Sequence, residues 1–520
     1  MATGYSLTGV DPNDPIPGIL REILFAQGLG GGANPTRTVL LYGNKTSAGS
    51  ETAGEINLPI ESRDNMIARF GRRSELRWMF EAYVAIDPDA TIYAVAVAEG
   101  GSAAASTVTF TFAAGAATLR TNLIVEAMGR TTTVGIETAD TAIVQAAAFA
   151  AAVNDWEDSG MPFTAAIGAN PNEHIVTVTS SQLGPRSALI LNQLRAYYQT
   201  SPTTTCTKAS VTAGTTDDDF TTAYAAAEAA GDFYYQVNPK HTTSSASPTD
   251  SGVGEGAAYI TSTALPNGGK GQQMIFGLVG TNSEATAVAT SVNNARCKFW
   301  HAENNPYWPG MIAATMAAVQ RVQARLHPSA NFNGYTNSDS TPFFLPAPYA
   351  SGDRPTKTEI RAALNNGVSS LNWTARGAAY VVRHITSRSH TGTSGQNDYR
   401  VREGHIPSAM DFFWDTLNQR YSVQKAAMPF VAADPVAGQK PLVGYMYPSS
   451  VGAIVRSTIT DLAGPFIGGS AVLDPGALSE MLASVGVLAL TDGSSVKCNP
   501  IAARHNNKGQ FRIEESSVPY

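Results

Sequence analysis

The chain has 520 residues, of which 15% are charged, with a formal net charge of −7 and a sequence pI near 5.7. That length exceeds what one hydrophobic core serves and implies about two to four domains. The acidic balance, without clustered Lys and Arg, excludes a chain that coats nucleic acid. The longest apolar run, Thr141–Val153, is too short to cross a bilayer, so no membrane insertion is expected. Three cysteines are too few for a disulfide framework. The stretch MATGYSLTGVDPNDP has neither a basic n-region nor an apolar h-region, so no signal peptide is expected. The charged fraction lies well below the usual ~25%. Much weakly hydrated surface follows, which suits a protein buried in an assembly and suits a secreted β-rich protein equally.

Residues 1–30 read as an arm. The prolines and aspartates of Asp11–Pro17 disfavour helix. Ile16, Ile19, Leu20, Ile23 and Phe25 lie in a short apolar stretch before the Gly28–Gly32 run. Residues 31–97 carry an α/β pattern, with a buried strand over Thr38–Gly43, helices over Asp64–Phe70 and Ser74–Asp87, and a strand over Thr91–Val97. Strand, helix and strand at this spacing form a crossover unit in a parallel or mixed sheet. Arg63, Arg69, Arg72, Arg73 and Arg77 are interspersed with acids and read as a solvated helix face.

At Glu99-Gly100-Gly101-Ser102 the composition shifts and a self-contained block, residues 98–195, begins. Thr107–Phe112 alternates with period two. Asn122–Glu126 and Thr131–Ile136 form a hairpin about Met128-Gly129-Arg130. Asp140 caps an alanine-rich helix that runs through Val153, and His174–Thr179 and Ala188–Asn192 are strands. Residues 196–505 return to the core domain. Loops are expected at Ser201–Thr205 and Thr242–Asp250, helices at Phe220–Ala230, Ser283–Ala295 and Pro309–Arg325, and strands at Phe233–Val237, Met274–Val279 and Cys297–Trp300.

Arg354 to Ser389 has the strongest local grammar. Thr356-Lys357-Thr358-Glu359 is a capping box, Ile360, Ala363 and Leu364 share a helix face, and Asn365-Asn366-Gly367 is a stop. Strands Val368–Trp373 and Ala378–Ser387 follow, turned by Ala375-Arg376-Gly377. Further on, His405–Arg420 and Asp474–Val485 read as helices, the second capped by Asp474 with Pro475 at its first position. Residues 506–520 form a C-terminal arm in which Phe511 and Ile513 alternate with charged residues, as on a strand with one face in water. The fold class is therefore α/β (mixed α+β) and multidomain, with a mixed-sheet core, an inserted β-rich domain and two extended arms.

Ala363-Leu364-Asn365-Asn366-Gly367-Val368 followed by Tyr380-Val381-Val382-Arg383-His384-Ile385-Thr386 resembles the central signature of contractile phage tail sheath subunits, closest to the Mu-like branch. Ile16-Pro17-Gly18-Ile19-Leu20-Arg21-Glu22 and the block around residues 100–195 share the resemblance. It implies a structural subunit that polymerises with itself as hexameric rings around an inner tail tube protein, between baseplate and tail terminator proteins, and contracts to drive the tube through a bacterial envelope. The location implied is the virion, assembled in the host cytoplasm, with the block on the outside of the particle. The arm strands at Ile16–Phe25 and Phe511–Glu515 would add to neighbouring subunits. Cys206, in the Thr-rich segment, and Cys498, before the terminal strand, would then sit where subunits meet and could form an inter-subunit disulfide.

No reaction is written in the residues. Gly268-Gly269-Lys270-Gly271 lacks the first glycine and the Ser or Thr of a phosphate loop. Ser494-Ser495-Val496-Lys497 has no partner motif. Cys297 and His301 are two ligands without two more, and Asp217-Asp218-Asp219 reads as acids favoured by a helix dipole. No catalytic residue, cofactor or metal is expected. A secreted binding module or adhesin, or a hydrolase, is the alternative.

Overall fold

The computed structural model describes residues 37–113, 115–157, 160–231, 233–239, 251–263, 271–327, 333, 345–349, 351–391, 396–397, 402–427, 434–441, 445, 447–464, 471–473, 475–485, 487–489 and 496–498. The expected arm positions Ile16, Ile19, Leu20, Ile23, Phe25, Phe511 and Ile513 lie outside these residues. So do Thr242–Asp250, most of the Gly268–Gly271 loop and Asp474. The protein is a mixed α+β, multidomain chain whose largest sheet combines parallel and antiparallel strands. It divides into two compact units, one holding Arg37–Asp411 and the other Phe412–Asn506.

The first unit starts with β1 (Val39–Gly43), buried throughout because helices cover both its faces. Helix α1 (Arg63–Phe70) begins at Ser62, whose side chain accepts from Asn65 N, and α2 (Glu75–Val84) begins the same way at Ser74. The crossover ends in β2 (Ile92–Ala96), parallel to β1 as its spacing implied.

The inserted block follows. β3 (Ala105–Phe112) alternates inward and outward residues along its length. β4 (Thr121–Ala127) and β5 (Arg130–Ile136) form the expected hairpin. Helix α3 (Ala142–Asn154) is capped by Thr141, not Asp140. The Asp140 carboxylate instead accepts from Glu137 N in the preceding turn. β6 (Phe163–Ile167) and β7 (Ile175–Leu183) lead to α4 (Ala188–Gln193), a helix where a strand was expected. Ala-Leu-Ile-Leu is too short a run for periodicity to decide; the preceding Pro185–Ser187 turn commits it to helix. β8 (Arg195–Tyr198) and β9 (Cys206–Lys208) complete two sheets, ordered β6-β7-β3-β9 and β5-β4-β8. The block thus runs past residue 195, and an antiparallel bridge between Ala98 and Asp219 ties its two ends.

The chain then returns through α5 (Thr221–Ala230), β10 (Tyr235–Asn238), α6 (Ser251–Thr263), β11 (Gln273–Leu278), α7 (Asn282–Val292), β12 (Cys297–His301), α8 (Pro309–Leu326), α9 (Lys357–Asn365), β13 (Val368–Trp373) and β14 (Ala379–Arg383). The main sheet is ordered β14-β13-β12-β11-β10-β1-β2, parallel except for β14. Side chains alternate between two cores. Val39 and Leu41 join α1, α2 and α8 on one face, while Leu40 and Tyr42 join α5, α6, α7 and α9 on the other. At Gly277 a Cβ would lie 1.9 Å from Pro309 O, so only glycine lets α8 start this close to β11.

The small pair β15 (His390–Thr391) and β16 (Gln396–Asn397) precedes α10 (His405–Ala427), whose residues from Phe412 on belong to the other unit. That unit holds α11 (Pro448–Ala463), α12 (Leu478–Ala483) and the antiparallel pair β17 (Val487–Ala489) and β18 (Val496–Cys498). Within it, the Arg420 guanidinium donates to Asp461 at 2.9 Å and Thr458 at 3.1 Å. No helix among the described residues is long and apolar enough to cross a membrane.

Candidate functional site

The strand order places a topological switch between β1 and β10. From β1 the chain steps outward to β2, then returns to the other side of β1 at β10. Open α/β sheets bind ligands outside the carboxyl ends of such strands. Here protein side chains occupy the end of β1. Arg186, from the turn before α4, donates from Nη1 to both Glu75 oxygens at 3.0 and 2.8 Å. From Nη2 it donates to Asp218 at 2.7 Å and to Asn44 Oδ1 at 2.6 Å, and from Nε to Asp218 at 3.2 Å. Asn44 N donates to Glu75, and Asn44 Nδ2 donates to Asp218. Arg186, Glu75, Asp218 and Asn44 are all buried. Burial alone would push the Arg186 guanidinium toward its neutral form, but Glu75 and Asp218 hold it above its ordinary value. For Glu75 the balance tips the other way, and burial raises its carboxyl despite Arg186.

This cluster joins the inserted block to the sheet. Gln182 Nε2 donates to Arg73 O, and Trp78 Nε1 donates to Gly160 O. Trp78, Trp308 and Met311 of the sheet lobe are part of the block's own hydrophobic core. The block is therefore not self-contained. Its core is completed by α2 and α8.

The sheet's two edges form the second candidate. On β2, Ile60 N donates to Ile92 O at 2.7 Å and Gly54 N to Ala96 O at 2.8 Å, so residues 54–60 close that edge. The other edge is the hairpin expected from sequence. Thr356 caps α9 in a full capping box with Glu359. Gly367 turns at φ +82, where a Cβ would lie 2.4 Å from Ser387 O. Gly377 turns the hairpin at φ +83, and β14 pairs with β13 as expected, ending at Arg383 rather than Ser387. Thr374 N donates to Ala378 O. Bonded pairs alternate along an antiparallel ladder, so Tyr380 bonds Asn372 while Ala379 and Val381 turn their N–H and C=O groups outward. Among the described residues, no strand pairs with that outer side. The edge carries neither Pro nor Lys and its Arg383 is paired with Glu403, but Ala379 and Val381 are buried, so its outer side is covered.

Other expected positions fall differently. Cys206 is not in an exposed loop. It stands in β9 opposite Phe112, packs on the block's core, and burial pushes its thiol up to about 12. Cys498 ends β18, and its side chain lies outside the description. Cys297 is buried on β12, a strand as expected, which also carries His301, whose Nε2 lies 2.8 Å from Gly280 O. Asp219 does accept from Thr221 N at the start of α5, as a helix-favoured acid should. Its neighbour Asp218 instead turns inward to Arg186. Arg77 is likewise no solvated face, being buried against Trp78 and paired with Glu81. The sequence did carry one signal for Arg186: between Glu173 and Arg195 it is the single Lys, Arg, Asp or Glu. Among the described residues no group of His, Cys, Asp and Glu is placed to hold a metal ion. Compared with known proteins, the chain matches no family model and no curated sequence.

Proposed function

We propose that the chain is the sheath subunit of a contractile tail, in a phage or in an injection device derived from one. The observation that carries this reading is the helix–turn–hairpin of Lys357–Arg383. The stretch on which the sheath resemblance rests folds as one unit at a sheet edge whose outward groups Ala379 and Val381 meet no partner among the described residues. Ala379 and Val381 are buried in the single chain, so once that cover is displaced the edge accepts a strand from another chain by β-augmentation. In this reading the strand comes from a terminal arm of a neighbouring copy, Ile16–Phe25 or Phe511–Glu515. About five main-chain hydrogen bonds, worth roughly 1 kcal/mol each, would keep subunits linked while their packing changes. The work comes from the difference between two packings of the same subunits, so no cofactor or reaction is required. The finished particle is the virion tail, with an inner tube as partner.

Electron microscopy of the purified protein tests the proposal. Wide hollow tubes or stacked rings of the protein alone are expected. A monodisperse monomer at high concentration and physiological salt would refute it.

A further inference from the structure

The ion cluster at the end of β1 borders a small cavity lined by Asn44, Glu75, Gln182, Leu183, Arg186, Ser187 and Trp308. It leaves about 10 Å³ for the centre of a water-sized sphere, room for a single water. Two of the lining residues carry a buried polar atom with no hydrogen-bond partner: Trp308 Nε1, a donor, and Gln182 Oε1, an acceptor. Trp308 and Gln182 are each only 2% exposed, so bulk solvent does not serve them. Gln182 Nε2 is already committed to Arg73 O, which fixes the amide and leaves Oε1 as the acceptor.

The chemistry of the walls selects the occupant. A metal cation would meet the Arg186 guanidinium and the Trp308 N–H, both of which present positive charge. An anion would meet the Glu75 carboxylate, with Asp218 behind it. An apolar group would leave one donor and one acceptor unpaired, each a costly loss in a buried site. Only a small neutral molecule that accepts once and donates twice matches all of them.

We propose that this cavity binds one water molecule, which accepts from Trp308 Nε1–H and donates to Gln182 Oε1 and the Glu75 carboxylate, locking the inserted block onto the sheet lobe. The three partners come from different places: Trp308 precedes α8, Gln182 lies near the end of β7 in the block, and Glu75 opens α2. The water therefore ties block to sheet from three directions, beside the direct ties through Arg186. The consequence is mechanical. The block moves with the sheet as one body in any rearrangement, instead of swinging on residues 97–103 and 209–219.

The test uses the full chain and is independent of whether it forms tubes. A crystal structure at better than 2 Å should show one solvent peak within hydrogen-bond distance of Trp308 Nε1 and Gln182 Oε1. Amide hydrogen exchange is then compared in Trp308→Phe, Gln182→Leu and the double variant. Each single substitution should lower protection of residues 182–187 and 73–77 by about tenfold, and the double should lose little more, because one shared water is lost only once. An empty or ion-filled cavity, or effects that simply multiply in the double variant, would overturn the proposal. If Trp308→Phe fails to fold, the crystal structure and Gln182→Leu decide: loss of the solvent peak with loosened exchange supports the lock, and unchanged exchange refutes it.

Discussion

The two edges of the seven-stranded sheet are finished by different means. At β2 the chain's own residues 54–60 lie alongside the strand and take up Ile92 O and Ala96 O. At β14 no described strand lies alongside, yet Ala379 and Val381 are 2% and 0% exposed, so that side is covered without strand pairing. An unpaired edge invites association, and folded proteins usually blunt it. One edge is blunted here by a segment with no regular structure of its own, while the other is covered without a pairing strand among the described residues. In the proposed reading the hairpin side is the one that exchanges its cover for a strand of another copy, and each experiment below alters one side.

The largest effect is expected from removing the proposed donor. Deleting residues 1–25 should leave a folded monomer, with unchanged circular dichroism, that forms no tubes. Normal tubes from the truncated chain would mean that the open edge is completed in another way.

Altering the acceptor should come next. Ala379→Pro removes one outward N–H and sets a ring where an incoming strand would lie. Ala379 is buried, so the substitution should also cost the monomer about 1–3 kcal/mol, and its folding is checked by circular dichroism first. Assembly should need at least about tenfold more protein, read from light scattering against concentration. An unchanged assembly threshold would move the contact away from β14.

The reverse pattern is expected at the closed edge. Ile60 is buried and anchors the segment over β2. Ile60→Ala should cost about 2 kcal/mol in urea unfolding, at the low end for a buried isoleucine because the site lies at the rim. Tube formation under native conditions should persist. If this variant abolishes assembly while still folded, the two edges do not differ in the way proposed.

The hairpin edge was legible in the sequence and the β2 edge was not. Thr356, Glu359, Gly367 and the hairpin turn at Gly377 each act over three or four residues, so the local pattern carries the whole of α9, β13 and β14. The parallel strands were legible for a similar reason, being short apolar runs such as Val39–Gly43. Residues 54–60 have no periodicity, and their role depends on where β2 comes to lie. β8 and β9 were missed because Arg-Ala-Tyr-Tyr and Cys-Thr-Lys are too short and polar to read as strands, and only pairing with β4 and β3 makes them so. The Arg186 cluster joins residues 32 and 111 positions apart. A lone arginine in a neutral stretch hinted at a buried charge without naming Glu75 or Asp218 as its partners.

The smallest effect concerns the closed side, where α2 follows β1 and opens with Glu75. Burial raises the Glu75 carboxyl above its ordinary range, Arg186 and the Asn44 N–H pull it back, and Asp218 pushes it further up. A raised folded value means that the native state holds this proton at pH values where the unfolded chain has released it. Stability therefore falls as pH rises from the ordinary carboxylate value through the raised one, and the loss is complete above it. His301 and His384 act in the opposite sense, because burial holds both below the usual imidazole range and the unfolded chain protonates first. Their contribution rises with pH toward neutrality, so the pH profile of the natural chain mixes two signs. The difference between the natural chain and Glu75→Gln isolates one of them. The Glu75→Gln variant should be less stable at every pH, since Arg186 then keeps only Asp218 as a charged partner. The gap should nevertheless narrow, on the order of 1 kcal/mol, as pH increases across that interval. Urea unfolding at a series of pH values measures it, and a gap that stays constant or widens with pH would show that Glu75 is not held protonated by burial at this junction.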